Sequence, residues 1–398
     1  MDLDVLVLGA GPAGFSIGHL MSGRGYSVEI IDPAFFPRPK ICGEFLNPQA
    51  VSWLEREGLL SSVLSLNPFS VQGMKISDLQ GISFVGRYGP DLRRTGYAIQ
   101  RKDFDSLLVT QARSSGVQIS EGYRAEKLLF ESGVVTGVTG ETTNGERFEK
   151  RARMIVGADG RNNLIGRTFR WMRGIRNLRK YAFVAYFENI PGLDHFGEIH
   201  AVSNGYIGIA PLNASLGNVA LVVDESALPG QDTPLSSFLL SRIQQSSLRE
   251  RFEGLKPLTP VSAVGPLAFE MKRTSGFRTI LVGDSCGFID PFTGEGINYA
   301  FLGADLAADV MDEAFRTGHF EDSVLARYDR ERDRLFRKKF QMARLLQHAM
   351  KWPAASRYLV GKFARSLKLG DAMVSAVGSA IPIEQIWNFR FLLRIVLS

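Results

Sequence analysis

Three glycine-bearing segments hold the residue types and spacings that could do chemistry: GAGPAG at Gly9–Gly14, GADG at Gly157–Gly160, and GDSCGFIDPFTGEG at Gly283–Gly296. The first follows the apolar run LDVLVL at Leu3–Leu8 and opens a helical stretch reaching about Arg24. Gly9 permits the tight turn after the strand. Gly11 lets the backbone approach a pyrophosphate, and Gly14 lets helix and strand pack closely, with Pro12 and Ala13 completing the turn. The helix N-terminus then offers unpaired N–H groups to phosphate oxygens. Asp32 closes a second strand, Val28–Ile31, where a carboxylate can hold a ribose hydroxyl. Strand, turn, helix, strand and acid in this order read as a nucleotide site rather than a structural turn.

The second and third segments, taken with the first, resemble the group A flavoprotein monooxygenases and their relatives, the geranylgeranyl reductases and flavin-dependent halogenases. The resemblance covers residues 1–320. It implies bound FAD, with the first segment on the ADP part. Asp159 and Gly160 would lie near the pyrophosphate and the nicotinamide path, and Gly283 and Asp284 at the ribityl chain. The segment PFTGEGIN, contributing Pro291, Gly294, Gly296, Ile297 and Asn298, resembles the loop whose backbone lies beside the flavin ring. A helix starting near Glu295 would aim its positive end at the ring edge that gains negative charge on reduction. RPKICGE, with Arg38, Lys40, Cys42 and Gly43, resembles the stretch running past the adenosine toward the ring. Arg101 in QRKDFDSLL resembles an arginine that reaches the phosphates. Only one GxGxxG is present, so an NAD(P)H reductant would bind transiently in the cleft, or electrons would come from a partner protein. Glu44, Asp290 and Glu295 are the candidate catalytic acids or bases near the ring, with backbone anchoring as their other reading.

The elements needed to position these residues make an α/β chain. It reads as a Rossmann-type FAD-binding domain with an inserted antiparallel β-sheet substrate domain and a C-terminal helical region. The FAD-binding domain is expected in three pieces, 1–75, 97–175 and 265–320. The substrate domain takes 76–96 and 176–264, and the basic helical region 321–398. Short helices are expected at Ala50–Gly58 and Phe104–Ser115, and a longer one at Ser237–Phe252. Short strands run from Val117 to Asp159. A second β-block runs from Tyr181 to Asp224, with a hairpin signal at Asn204-Gly205. One face of that block could wall a greasy substrate cavity.

Composition narrows the setting. The 398 residues are 45% hydrophobic and 22% charged, as in globular proteins. Two cysteines, Cys42 and Cys286, give no disulfide framework, which points to a reducing cytoplasm. A redox pair between them is the less favoured reading. Asp2 and Asp4 do not fit the basic start of a leader, and no apolar run is long enough to span a membrane. The net charge is +6, yet residues 321–398 alone hold 15 Lys/Arg against 7 Asp/Glu. This basic region could face solvent, a membrane surface or an acidic carrier protein. No recognition motif accompanies it, which argues against nucleic acid. The C-terminal IEQIWNFRFLLRIVLS, interrupted by Arg390 and Arg394, reads as a docked or interfacial segment. The five histidines show no metal-ligand grouping, so no metal is expected; His195 and His200 read as surface or cavity-lining.

Three reactions fit the resemblance. The leading expectation is an NAD(P)H-dependent monooxygenase acting on a hydrophobic aromatic or polyketide-type metabolite through a flavin C(4a)-hydroperoxide. Against it, GDSCGFIDP lacks the histidine of the hydroxylase pattern GDAAH-x-x-x-P. The alternative is a geranylgeranyl-reductase-like reduction of prenyl C=C bonds, to which GDSCGFIDPFTGEGI and Cys42-Gly43 are closer. YIGIAPL at Tyr206–Leu212, however, lacks the Trp and Phe of that group's substrate motif. The third is a halogenase with Lys75 in the catalytic lysine's place, although the halogenase W-x-W-x-I-P signature is absent.

Overall fold

A computed structural model describes residues 3–89, 94–175 and 178–388, together with Phe391, Leu393 and Ile395. The readings at Asp2, Arg390 and Arg394 lie outside these residues, as do 90–93 and 176–177 of the substrate-domain segments.

The nucleotide-binding half is organised on a parallel layer. Its strands run Thr279–Leu281, Arg147–Gly157, Leu3–Leu8, Val28–Asp32 and Gln118–Glu121. Val5, Leu6 and Val7 in the central strand have no exposed surface, as a strand covered on both faces requires. The helices Pro12–Gly23 and Gly296–Thr317 pack on each other against this layer. Arg147–Gly157 serves two pairings. Its first part joins an antiparallel meander with Val134–Thr142 and Tyr123–Glu131, and its second part runs parallel to Leu3–Leu8 and delivers the GADG turn.

The second sheet has seven strands in the order Ser262–Val264, Lys180–Phe187, Gly217–Asp224, Gly205–Pro211, Phe196–Val202, Gly73–Ser77 and Ser83–Arg87. All neighbours are antiparallel except Gly73–Ser77 beside Phe196–Val202. The expected boundary after residue 75 thus divides a strand that lies wholly in this sheet. Alternation sorts its faces. Phe183, Ala185 and Phe187 pack under the helix Leu235–Gln244, while Ala182 and Val184 turn the other way, toward Tyr206, Val222 and Phe292.

The C-terminal region closes that second face. Helices Asp322–Lys351, Pro353–Arg365 and Leu367–Val377 share a core with Phe84 and Tyr88. Gly86 lets the last helix approach its strand: a Cβ there would lie 2.6 Å from the Gly370 carbonyl oxygen and 2.5 Å from Val374.

Several expected boundaries move. The helix expected from Ala50 starts at Pro48, because the Asn47 side chain accepts from the Ala50 N–H. The helix expected from Phe104 starts at Arg101. Ser237–Phe252 is not one helix: it runs Leu235–Gln244, and Ser246 then turns its hydroxyl back onto the Ile243 carbonyl. The Asn204 hairpin forms, with Asn204 at a φ of 58°.

Candidate active site

A single cleft of roughly 1180 Å³ runs along the C-terminal ends of the parallel strands and continues under the seven-stranded sheet. Its first arm is polar. Gly9, Gly11, Pro12, Ala13, Asp32, Arg38, Lys40, Cys42, Gly43, Arg101, Asp159, Gly160, Gly283 and Asp284 all lie on it. Pro291, Gly294, Gly296, Ile297, and the three carboxylates Glu44, Asp290 and Glu295, mark the bend. The inner arm is apolar, walled by Met74, Ile76, Val184, Ile199 and Val222 from the sheet and Leu359, Val360 and Phe363 from the C-terminal helices. Two candidates lie off the cleft. Gly14 packs behind it, where a Cβ would sit 1.8 Å from the Gly9 carbonyl oxygen. Asn298 turns its amide to Gln49 instead, at 3.0 Å.

The polar arm fits a dinucleotide with phosphates and a polyhydroxyl chain. A Cβ on Gly11 would meet nothing closer than Arg38 at 3.8 Å, so the space above this residue is free for a ligand. Asp32 is fixed by the N–H groups of Ala10 (2.8 Å) and Ala34 (2.9 Å), which aims its carboxylate along the cleft. Arg101 is buried and held in a two-bond fork by Asp105, at 2.7 and 2.8 Å; Arg38 stands 3.4 Å from the same carboxylate. Asp105 lies inside the QRKDFDSLL segment, yet only the fold shows that it aims both arginines. Ser285 joins the second and third glycine segments: its hydroxyl donates to Asp159 (3.1 Å) and accepts from the Gly160 N–H (2.8 Å). Burial pushes the Asp284 carboxyl up, against the pull of Lys40, Arg101 and Arg161. Among the described residues no hydrogen bond is donated to it, which leaves its oxygens for a ligand's hydroxyls. The helix after the third segment starts at Gly296, and no side chain among the described residues caps its N-terminal N–H groups. They lie at the bend of the cleft, beside Asp284.

The three carboxylates at the bend differ sharply. Asp290 is paired with Lys180 at 2.9 Å, accepts from the Tyr206 hydroxyl at 2.5 Å, and caps the Phe292 N–H at 2.8 Å. Glu295 accepts from Lys339 at 2.9 Å and from the hydroxyls of Ser379 and Tyr299. Both therefore act as anchors. Asp290 ties the ring loop, residues 291–295, which the resemblance puts beside the flavin ring, to the sheet, and Glu295 ties it to the C-terminal region. Asp290 Oδ2 accepts no hydrogen bond but faces the Lys180 ammonium, whereas Glu44 has an oxygen with neither a hydrogen bond nor an ion pair among the described residues. One oxygen accepts from the Tyr186 hydroxyl and, at 3.3 Å, from the Arg101 N–H; the other is buried with no partner. Burial pushes this carboxyl up to about 7, although the Tyr186 and Arg101 bonds pull it down. Its φ is 55°, a left-handed conformation that costs a non-glycine residue about 1 kcal/mol or more. Next to it, Phe45 packs on the ring loop, where a Cβ on Gly294 would lie 2.9 Å from its ring.

Other expectations resolve by placement. Lys75 sits between Met74 and Ile76, which face the cleft, so the strand's alternation turns it to the opposite face of the sheet. That removes the lysine from the halogenase reading. Cys286 is buried and donates to the Leu281 carbonyl, while Cys42 lies on the cleft beside Glu44; both are free. His200 is buried between Glu198 (2.6 Å) and Ser77 (2.8 Å), and His195 stacks on Phe69. Among the described residues no group of histidine, cysteine and carboxylate side chains could hold a metal. Tyr186 and Lys180 escaped the sequence reading because they stand in plain alternating strands, where nothing local distinguishes them; Tyr206 was noted only within YIGIAPL, without its bond to Asp290.

Comparison with known proteins agrees with this geometry. The FAD binding domain family matches residues 2–343. The chain is similar to digeranylgeranylglycerophospholipid reductase 1 of Methanopyrus kandleri, with 27% identity over 97% of this chain and 100% of the relative. It is also similar to a menaquinone reductase of Mycobacterium tuberculosis, 30% identical over 78% of this chain and 76% of the relative. Among solved structures, a flavin-dependent brominase shares the fold, with a TM-score of 0.85 at 18% identity, covering 100% of this chain and 98% of that one.

Proposed function

The chain belongs to the FAD binding domain family and is an FAD-dependent oxidoreductase; from that premise we propose that it reduces a carbon–carbon double bond in a long, prenyl-type hydrophobic substrate. The observation that carries the reading is Glu44, a buried carboxyl with an unpartnered oxygen beside the ring loop, which burial raises to about 7 so that about half of it still holds its proton at neutrality. Saturating an alkene requires two electrons and two hydrogens. FAD, held along the polar arm by Asp32, Arg101 and Asp284, would supply the electrons and one hydrogen as a hydride, with NAD(P)H as their source. The remaining proton comes from this chain. Glu44 holds it at the bend, and Tyr186 keeps the carboxyl oriented. The apolar arm holds the chain of the substrate and excludes water, so that the proton goes to the substrate carbon rather than to solvent. Asp290 and Glu295 hold the ring loop rigid while this happens. The relatives support the assignment, one being a digeranylgeranylglycerophospholipid reductase and the other a menaquinone reductase.

The test is anaerobic turnover of the FAD-loaded enzyme with NAD(P)H and menaquinone or a geranylgeranyl lipid in deuterated water. The expected product gains two hydrogens per bond, one of them solvent-derived. Glu44→Gln should lower kcat by about 100-fold or more while flavin stays bound. A product that gains oxygen in air, and none that gains hydrogen without it, would return the assignment to the monooxygenase reading.

A further inference from the structure

The helix Pro353–Arg365 separates two unlike environments. Its inner residues Ser356, Leu359, Val360 and Phe363 line the apolar arm of the cleft. Its outer residues Ala354, Arg357, Tyr358 and Arg365 are exposed and fall on one face by their spacing of three, four and seven. Two large apolar side chains bracket the helix, Trp352 at 69% exposure and Leu367 at 73%, and Tyr358 between them is 48% exposed. Lys368 continues the basic surface just beyond the helix. Residues 334–370 contain ten Lys/Arg and no Asp or Glu, so nothing acidic interrupts this stretch of the chain.

We propose that this outer face seats the protein on an anionic lipid surface, with Trp352, Tyr358 and Leu367 inserted at the headgroup level and Arg357, Arg365 and Lys368 on the lipid phosphates. The charge selects an anionic partner. Exposed indole, phenol and leucine side chains bracketing a basic helix select a bilayer interface over a purely polar partner. No helix among the described residues is long and apolar enough to cross a membrane, so the contact lies on the surface. The cleft would then open one helix away from the lipid phase, which suits a substrate with negligible solubility in water. This inference extends the hydrophobic-substrate reading, but its test does not depend on turnover.

The experiment is sedimentation of the FAD-loaded full chain with vesicles of phosphatidylcholine alone or of equal parts phosphatidylcholine and phosphatidylglycerol. Binding is expected to the mixed vesicles only, and to weaken as salt is raised. The double variant Trp352→Ser/Leu367→Ser should lose at least tenfold in partition coefficient with flavin content and thermal midpoint unchanged, since both side chains are exposed. The triple variant Arg357→Gln/Arg365→Gln/Lys368→Gln should lose as much. Trp53 and Trp171 are buried and Trp387 is half-buried, so only a blue shift of tryptophan emission on mixed vesicles that disappears with Trp352→Phe and persists with Trp387→Phe would support insertion. Failure of the wild-type chain to bind mixed vesicles would overturn the proposal. So would wild-type binding by the double variant, or binding of a purified acidic acyl-carrier protein through these residues while vesicles are ignored.

Discussion

Glu44→Gln should make the flavin-free protein more stable, and by an amount that depends on pH. Glu44 has its folded-state carboxyl raised from 4.5 to about 7, first because burial penalises the charged form. The folded state therefore binds this proton more tightly than the unfolded state. The stability carried by the proton is fully present below pH 4.5 and is lost as pH rises toward and through about 7. At about 1.36 kcal/mol per pH unit, the loss reaches about 3 kcal/mol by about pH 8. Glutamine keeps an acceptor for Tyr186 and cannot ionise, so it removes the loss. The difference in unfolding free energy between variant and wild type, read from urea titrations, should be small at acid pH and grow to about 3 kcal/mol at about pH 8, with the variant the more stable. Parallel pH profiles, or a variant less stable at every pH, would refute the reasoning and remove Glu44 as a proton reservoir.

Three further outcomes concern the polar arm and the glycine packed behind it. Gly11→Val should weaken flavin binding by at least about 100-fold, the loss of two phosphate hydrogen bonds, while the flavin-free protein unfolds as before. Gly14→Ala should instead destabilise the fold itself, because its Cβ would lie 1.8 Å from the Gly9 carbonyl oxygen. Equilibrium flavin titration and thermal melts separate the two, and normal flavin affinity in Gly11→Val would sink the assignment. Asp284→Ala should release flavin about tenfold more readily without loss of stability, since no group among the described residues donates to that carboxylate. Unchanged retention on gel filtration would count against its place on the polyhydroxyl chain.

The polar arm was legible because its tasks need glycine or a fixed carboxylate at short, local spacings. Gly9, Gly14 and Asp32 announce themselves within one strand–helix–strand unit. The bend was half legible. Glu44, Asp290 and Glu295 could be named from adjacent motifs, but their division of labour depends on Tyr186, Tyr206, Lys180, Lys339 and Ser379. These come from strands and helices far along the chain, and no local pattern links them. The same holds for Gly73–Ser77, whose parallel partner Phe196–Val202 lies more than a hundred residues away. Expected helix ends shifted where a side chain competed for backbone groups, as Asn47 does at Pro48 and Ser246 does after Gln244.

The hold of Lys339 and Ser379 on Glu295 has a thermodynamic consequence. Glu295 precedes the helix start at Gly296, while its C-terminal partners are Lys339 in the helix Asp322–Lys351 and Ser379 in the turn just after the helix Leu367–Val377, both elements that wall the apolar arm. Any ligand that shifts those helices alters the field at the helix start, and with it the midpoint potential of the bound flavin. Linkage then runs both ways: reduction must change the ligand's affinity by the same factor by which the ligand changes the oxidised-to-reduced equilibrium. The occupancy of the greasy chamber and the redox state of the cofactor would thus report on each other across a single carboxylate. Spectroelectrochemical titrations with and without ligand read the potential change; a potential that does not move would show that this carboxylate transmits nothing.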